Sequence, residues 1–585
     1  MRGAIVVGLV LFSSAALGAV GADEGLAAST GAPSLPIGTR YAKVRPVCPA
    51  PGRGRASCFA LALVSAPPEA AGASPYLAAA GAYSKGPAGG LTPADLATAY
   101  SFSPSAGGTG QTVGIVDAFD DPTIEKDLSA FDTEYGLAAC TTANGCFQKV
   151  GQTGSTTSLP AADKRGWSVE MSLDVETVHS VCPSCKILVV EADSESLSDL
   201  AKSVTEAVKL GATEVSNSYG TLETELGEAE RSAYNDPGVV ITASAGDSGY
   251  LDWDNVANVG GVAPELPNGP ASLTTVVAVG GTSLALTTAG ARKSETVWND
   301  SGRPSVEEFK QFSATGGGCS TLFTAPAWQQ TAAGWASTAC GTKRLDNDIA
   351  AVADPYTGFD IYDSYVYEPK FTPGWLTVGG TSLSSPLVAG LFGLAGGSHG
   401  VSYPASTLYT HLGQSSSLYD VTQGGDGYCD GEEPGPCGEP EVNELLGDLD
   451  CLGSTACDAA GGFDGPSGVG APIGLGAFNG PSSETKPTVV TKSASSVTAS
   501  SALLHATVNP NGGKVSACSF EYGPTTSLGK SVPCSSLPVP GTKPKPVSAT
   551  LSELSAKTTY YYRISATDGA GTSIGTTRYV KTRAS

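Results

Sequence analysis

Between residues 111 and 249 two kinds of segment alternate. "QTVGIVDAF" (111–119), "KILVVEA" (186–192), "TEVSNSYG" (213–220) and "GVVITASAGDSG" (238–249) are short runs of apolar and small residues, the marks of buried strands. Between them lie helix-period stretches at about 163–181, 194–211 and 222–235, the second stopped by Gly211. Strands joined by helical crossovers predict an α/β fold with a mostly parallel sheet covered on both faces, continuing to about residue 480. In such sheets the chemistry sits beyond the carboxyl ends of the strands, which limits where functional residues can lie.

The flanks have a different texture. Residues 1–22, "MRGAIVVGLVLFSSAALGAVGA", pair one Arg with an apolar run from Ala4 to Phe12 and small residues, the pattern of a secretory signal peptide cut after Ala19 or Ala22. Residues 23–90 are rich in Ala, Gly, Pro and Ser and read as a loosely ordered leader or short pro-segment. Order is expected to begin at "LTPADLATAY" (91–100), where Thr92 is a ready N-cap and Pro93 suits the first helical position. After about 487, Val/Thr/Ser/Tyr runs separated by "NPNGG" and "TDGAGTS" predict an all-β sandwich to residue 585.

Charge and cysteine usage narrow the function classes. A formal net charge of −23 makes nucleic acid and anionic membranes poor partners, and suits an acidic medium in which carboxyls are protonated. No stretch has the roughly 18 uninterrupted apolar residues of a membrane span. Fourteen cysteines beside an export signal imply disulfides in a secreted protein. Near-neighbour spacing suggests 48/58, 140/146, 182/185, 319/340, 429/437, 451/457 and 518/534, with the pairing of the four between Cys429 and Cys457 left open.

"VGGTSLSSPLVAG" (378–390) looks like a glycine turn entering a helix that carries a nucleophilic serine, Ser382. A serine needs an adjacent base. Of the four histidines, His399 and His411 follow the serine, His505 lies in the β region, and His179 reads better as a helix C-terminal residue. The helix "GWSVEMSLDVETVHS" (166–180) offers carboxyls instead: Glu170 and Asp174 are four residues apart and share a face. Paired carboxyls drive one pKa up and the other down, which suits acid–base work, although a solvated acidic helix face has the same pattern. "ITASAGDSGY" (241–250) puts Asp247 at a strand's carboxyl end, where it can donate to an oxyanion only when protonated. Asp117 in "VDAFDDP" reads as a strand-end turn residue rather than a third carboxyl of the pair.

Glu170-x-x-x-Asp174, "SAGDSG" and "GGTSLSSP", in this order, resemble the sedolisins, serine-carboxyl peptidases with a subtilisin-like fold. "VSNSYG" (215–220) and "TGGGCSTLFTAPAWQQ" (315–330) are similar to that family's substrate-cleft strands, and the resemblance covers about 91–480. It implies a peptidase with Ser382 as nucleophile, Glu170 as general base then acid, Asp174 orienting Glu170 and Asp247 as oxyanion donor, acting on proteins or peptides best well below pH 6. It also implies one structural Ca2+ held by the side chains of Asp420 and Asp464 and the carbonyls of Val421, Ala460 and Gly462. The alternative is an exported binding or adhesion protein on a peptidase scaffold, with the β domain, which resembles fibronectin type III, doing the work. A secreted monomer is expected in either case.

Overall fold

The computed structural model describes residues 43–64, 85–252, 266–300, 313–365, 371–427, 454–480, 486–511, 515–539, 541, 543–568 and 571–584, all within one unit, Arg40–Ser585. The expected signal peptide and most of the acidic Cys-rich segment from Cys429 lie outside the described residues.

The chain enters as three short strands, β1 (Lys43–Pro46), β2 (Ser57–Cys58) and β3 (Leu61–Val64). Order was expected only from residue 91, so this is a correction with a physical cause. The segment has no apolar periodicity because main-chain pairing holds it. β1 pairs antiparallel with β3, and β3 adds antiparallel to the strand Gly374–Gly379. The Cys48–Cys58 disulfide closes the loop between them. At Pro93–Ala99 the expected helix forms, with Thr92 and Asp95 in a reciprocal capping box.

The core sheet follows as β4 (Thr112–Ala118), β5 (Phe147–Gly151), β6 (Lys186–Ala192) and β7 (Glu214–Asn217), with β8 (Tyr219–Leu222) leaving the sheet and β9 (Val240–Ser244) returning to it. The parallel order is β5-β6-β4-β7-β9 and then Val277–Leu286, which takes Ile349–Val352 in parallel and Arg292–Val297 antiparallel at the edge. Val113, Ile115, Val116, Val189, Val190 and Val215 are fully buried, as strands covered on both faces must be. The helices Trp167–Val181, Leu197–Lys209 and Thr381–Ala395 cover them. The helix expected over 222–235 is broken into a 3₁₀ turn at Glu223–Glu225 and a short α-helix at Glu228–Ala233. Glu223 is held elsewhere: its carboxylate accepts from the Ser320 hydroxyl and from the N–H and hydroxyl of Thr321.

Past residue 486 a second hydrophobic core forms around Leu504, Val508, Phe520, Tyr562 and Ile564. One antiparallel sheet runs Thr488–Ser495, Ala502–Asn509, Lys545–Leu551; the other is built on Ala517–Gly523 and Thr559–Asp568. Buried and half-buried residues alternate strictly along Ala502–Asn509, as the two-residue period of a strand with one face on a core requires. Five of the expected disulfides are present: 48–58, 140–146, 182–185, 319–340 and 518–534. Among the described residues no helix is long and apolar enough to cross a membrane.

Candidate active site

The helix Trp167–Val181 is buried along its whole length, so its carboxyls face protein, not water. Its N-terminus is anchored by Asp163, whose carboxylate accepts from the N–H groups of Arg165, Gly166 and Ser168. Four residues apart on this helix, Glu170 and Asp174 are both 0% exposed. Burial, then the Asp174 carboxyl, pushes the Glu170 pKa well above its usual range, while the Ser382 hydroxyl works the other way. Burial, then Asp117, likewise raises Asp174, opposed by a hydrogen bond from the Ser218 hydroxyl at 2.7 Å.

Ser382 is the second residue of the helix Thr381–Ala395, entered through Gly380. Gly380 has φ +94°, and a side-chain carbon there would collide with the Phe59 carbonyl oxygen and lie 2.6 Å from Asp247 Oδ2. Only glycine satisfies both the turn and the close approach. The Ser382 hydroxyl donates to the Ser218 carbonyl at 3.1 Å. Pro386, inside the helix, has no N–H to give the carbonyl of Ser382. The Ser218 hydroxyl lies 3.4 Å from that carbonyl as well as bonding Asp174.

Asp247 follows β9 in the turn to Ser248–Tyr250. Its Oδ1 accepts from the Thr381 N–H and hydroxyl, both at 2.8 Å, while Oδ2 has no partner. Burial pushes its pKa up to about 8, against the pull of those two bonds. Asp117, at the end of β4, departs from its sequence reading. It is 0% exposed, neither oxygen has a partner, and burial with nearby Asp163 raises it to about 8. It also raises Glu170 and Asp174, so it is a member of the carboxyl group. Its sequence signal, an aspartate at a strand's carboxyl end, is shared with many turn residues; burial is what distinguishes it.

The structure thus gathers Ser382, Glu170, Asp174 and Asp247, four positions spread over more than two hundred residues of sequence. No histidine joins them. His179 Nε2 instead faces the Ala138 carbonyl at 2.8 Å and Asp132 at 3.1 Å. Four buried carboxyls in one neighbourhood cannot all ionise, so the group holds protons at pH values where exposed acids have none.

The loops containing Asp420 and Asp464 also meet. Gly462 N–H donates to both Asp420 oxygens at 3.1 and 3.2 Å, and Ala460 N–H donates to Asp464 Oδ2 at 2.9 Å. Burial raises Asp464 to about 7, with Asp420 adding to it. Among the described residues no backbone N–H donates to the carbonyls of Val421, Ala460 or Gly462. Two carboxylates close together and three carbonyls that no described backbone N–H reaches form an all-oxygen set of the kind Ca2+ prefers, so the residues fit that ion.

Fold and site together define a subtilisin-like scaffold that brings a serine and buried carboxyls together, and residues 154–417 match the Subtilase family. Within that class the chain is similar to sedolisin from Pseudomonas sp. (strain 101), 28% identical over 360 residues, and to kumamolisin from Bacillus sp. (strain MN-32), 29% identical over 352 residues. These matches cover 59% and 57% of this chain and 57% of each relative. Xanthomonalisin from Xanthomonas sp. (strain T-22) is 30% identical over 374 residues, 57% of this chain and 42% of that protein. The solved structure of Pseudomonas sedolisin, a serine-carboxyl proteinase complexed with pseudo-iodotyrostatin, superposes with TM-score 0.52 at 27% identity, over 66% of this chain and 96% of that one. The sedolisin resemblance read from the motifs is borne out, and the domain has the sedolisin fold.

Proposed function

We propose that this protein is a secreted, acid-active serine endopeptidase that cuts peptide bonds through an acyl-enzyme. The observation that carries the reading is the placement of Ser382 between the Glu170–Asp174 pair and Asp247, with Asp247 Oδ2 free to donate when protonated. Ser382 attacks the scissile carbonyl and Glu170 takes its proton. Asp174, itself held by the Ser218 hydroxyl, is in this reading the group that orients Glu170 one helical turn away. Neutral Asp247 donates to the oxyanion, and Glu170 returns the proton to the leaving amine. Water then repeats the sequence on the ester. A carboxyl base remains functional in acid, where histidine (pKa about 6.5) would be protonated.

Asp420, Asp464 and the carbonyls of Val421, Ala460 and Gly462 would hold one Ca2+, which when bound ties two loops together and takes no part in the chemistry. The disulfides support an extracellular setting. In this reading residues 91–480 form the peptidase domain. The β-sandwich, proposed as fibronectin type III-like, is a spacer or surface-binding module, and the protein is monomeric. The test is casein digestion at pH 3–5 by wild type and Ser382→Ala. Wild type should degrade casein and the variant should not; equal turnover by both refutes the reading.

A further inference from the structure

The helix Trp167–Val181 has a second acidic side. Glu176 follows Asp174 by two residues, about 200° further round the helix, and so lies opposite the Glu170–Asp174 face. There the helix packs on the helix Ile124–Tyr135 and the strand Phe359–Asp363. One carboxylate oxygen from each of Asp121, Asp127 and Asp363 lies within 4.8 Å of the other two. These three residues and Glu176 are all 0% exposed. Among the described residues no lysine, arginine or histidine forms an ion pair with any of the four.

The contacts these carboxyls do make are all with donors. Asp121 Oδ1 accepts from the Thr123 N–H at 2.8 Å, and Asp363 Oδ1 from the Tyr365 N–H at 2.7 Å. Asp127 accepts from the Ser364 hydroxyl at 2.6 Å and the Ser364 N–H at 2.9 Å. Glu176 Oε2 accepts at 2.9 Å from the N–H of Tyr362, the residue before Asp363. Thr123 is the N-cap of the helix Ile124–Tyr135, yet its hydroxyl makes no cap bond. It lies instead 2.6 Å from Asp127 Oδ2 and 3.1 Å from Asp121 Oδ1. Donors on every side orient charged carboxylates. The atoms left over are Asp121 Oδ2, Asp363 Oδ2 and Glu176 Oε1, each buried without a hydrogen-bond partner. Burial raises the Glu176 pKa well above its usual range and the charges of Asp127 and Asp363 add to it, which places Glu176 in the same neighbourhood.

We propose that Asp121, Asp127 and Asp363, with Glu176 as a further ligand, bind one Ca2+ at a site separate from Asp420 and Asp464. Buried carboxyls without a cation need either protons or a metal. Ca2+ takes carboxylate oxygens at about 2.3–2.6 Å, so ligands on opposite sides of one ion stand about 5 Å apart, and a set within 4.8 Å fits that sphere. Mg2+ keeps several of its waters, for which a fully buried carboxylate set is a poor match. The ion ties the turn after β4 and the end of the strand Phe359–Asp363 to the back of the helix that carries Glu170 and Asp174. It takes no part in the reaction, and the site stands whether or not the peptidase reading does.

The test uses the full chain carrying Ser382→Ala, which prevents digestion, and Asp420→Ala, which weakens the other loop site. The protein is stripped with EGTA, dialysed against CaCl2 at pH 7 and its calcium measured by mass spectrometry and calorimetry. It should hold one Ca2+ per chain, and adding Asp363→Asn should weaken binding by about 100-fold or more. No bound calcium, which leaves the cluster held by shared protons, overturns the proposal, as does unchanged affinity after Asp363→Asn. Tighter binding of Mg2+ than of Ca2+ overturns the choice of ion. Hydrogen exchange needs no substitution in the cluster: with Ca2+ the amides of 121–127 and 359–365 should exchange more slowly, and protection confined to other segments overturns the site.

Discussion

Replacing Asp247 separates two properties that the wild-type carboxyl combines, holding the turn and donating to the oxyanion. Its Oδ1 is committed to two hydrogen bonds from Thr381, and its Oδ2 is buried with no hydrogen-bond partner. In Asp247→Asn the amide oxygen keeps both Thr381 bonds and the amide nitrogen donates at every pH. In Asp247→Ala the donor is gone. Losing one oxyanion donor costs about 10²–10³ in kcat, or about 2.7–4 kcal/mol. At pH 4 the Ala variant should therefore fall by that factor, while the Asn variant stays within about tenfold of wild type. The pH profiles should then diverge. Wild type needs the proton, so its activity is lost as pH rises through the Asp247 pKa, about 8 with Phe59 covering the site. Displacing Phe59 from the site admits water and lowers that value, so the falling limb of the active enzyme lies below it. Asp247→Asn should lack that limb. The assay is kcat/KM on an internally quenched peptide from pH 3 to 8, with circular dichroism confirming the fold. An Ala variant within threefold of wild type, or Asn and wild-type limbs that coincide, would refute the reasoning.

Other expectations concern stability. Asp117, Asp247 and Glu214 all have folded pKa values raised by burial to about 8. Their contribution is complete below the unfolded value near 4 and is lost as pH rises toward 8, so the Tm of Ser382→Ala should decline from pH 5 to 8; a rise would contradict this. Chelator should lower the Tm if Ca2+ is bound, and Asp420→Ala should weaken that response; an unchanged Tm in wild type argues against the ion. Arg344, 1% exposed, forks onto Asp348 at 2.9 and 2.7 Å, so Arg344→Met leaves that buried carboxylate without its cation, held only by the Tyr409 hydroxyl and the Ala278 N–H, and should cost about 3–5 kcal/mol in denaturant melts. Residues 486–585 have their own core, and that fragment should unfold cooperatively when expressed alone; a fragment without a transition would refute its independence.

What could be read in advance depended on whether a residue's role is local. The cap at Thr92 and the span Lys186–Ala192 were legible because short-range chemistry and apolar runs fix them. Glu170 and Asp174 could be paired because helical spacing is a local rule. "TEVSNSYG" was read as one strand, but it breaks at Ser218, whose carbonyl and hydroxyl are both engaged by the site. The 222–235 helix forms only at Glu228–Ala233, and its first part is drawn away because Glu223 found partners about a hundred residues away in sequence. Asp117 and the segment 43–64 were missed for the same reason. Burial in one case and main-chain pairing in the other come from distant parts of the chain and leave no periodic trace.

The proline within the Ser382 helix has a mechanical consequence. By leaving one turn of that helix without its rung, it frees an oxygen on the backbone of Ser382 that lies within reach of Ser218. One hydroxyl thus works as a knuckle between the helix that carries Ser382 and the helix that carries the acids, so a shift of either is felt by the other before any peptide bond is touched.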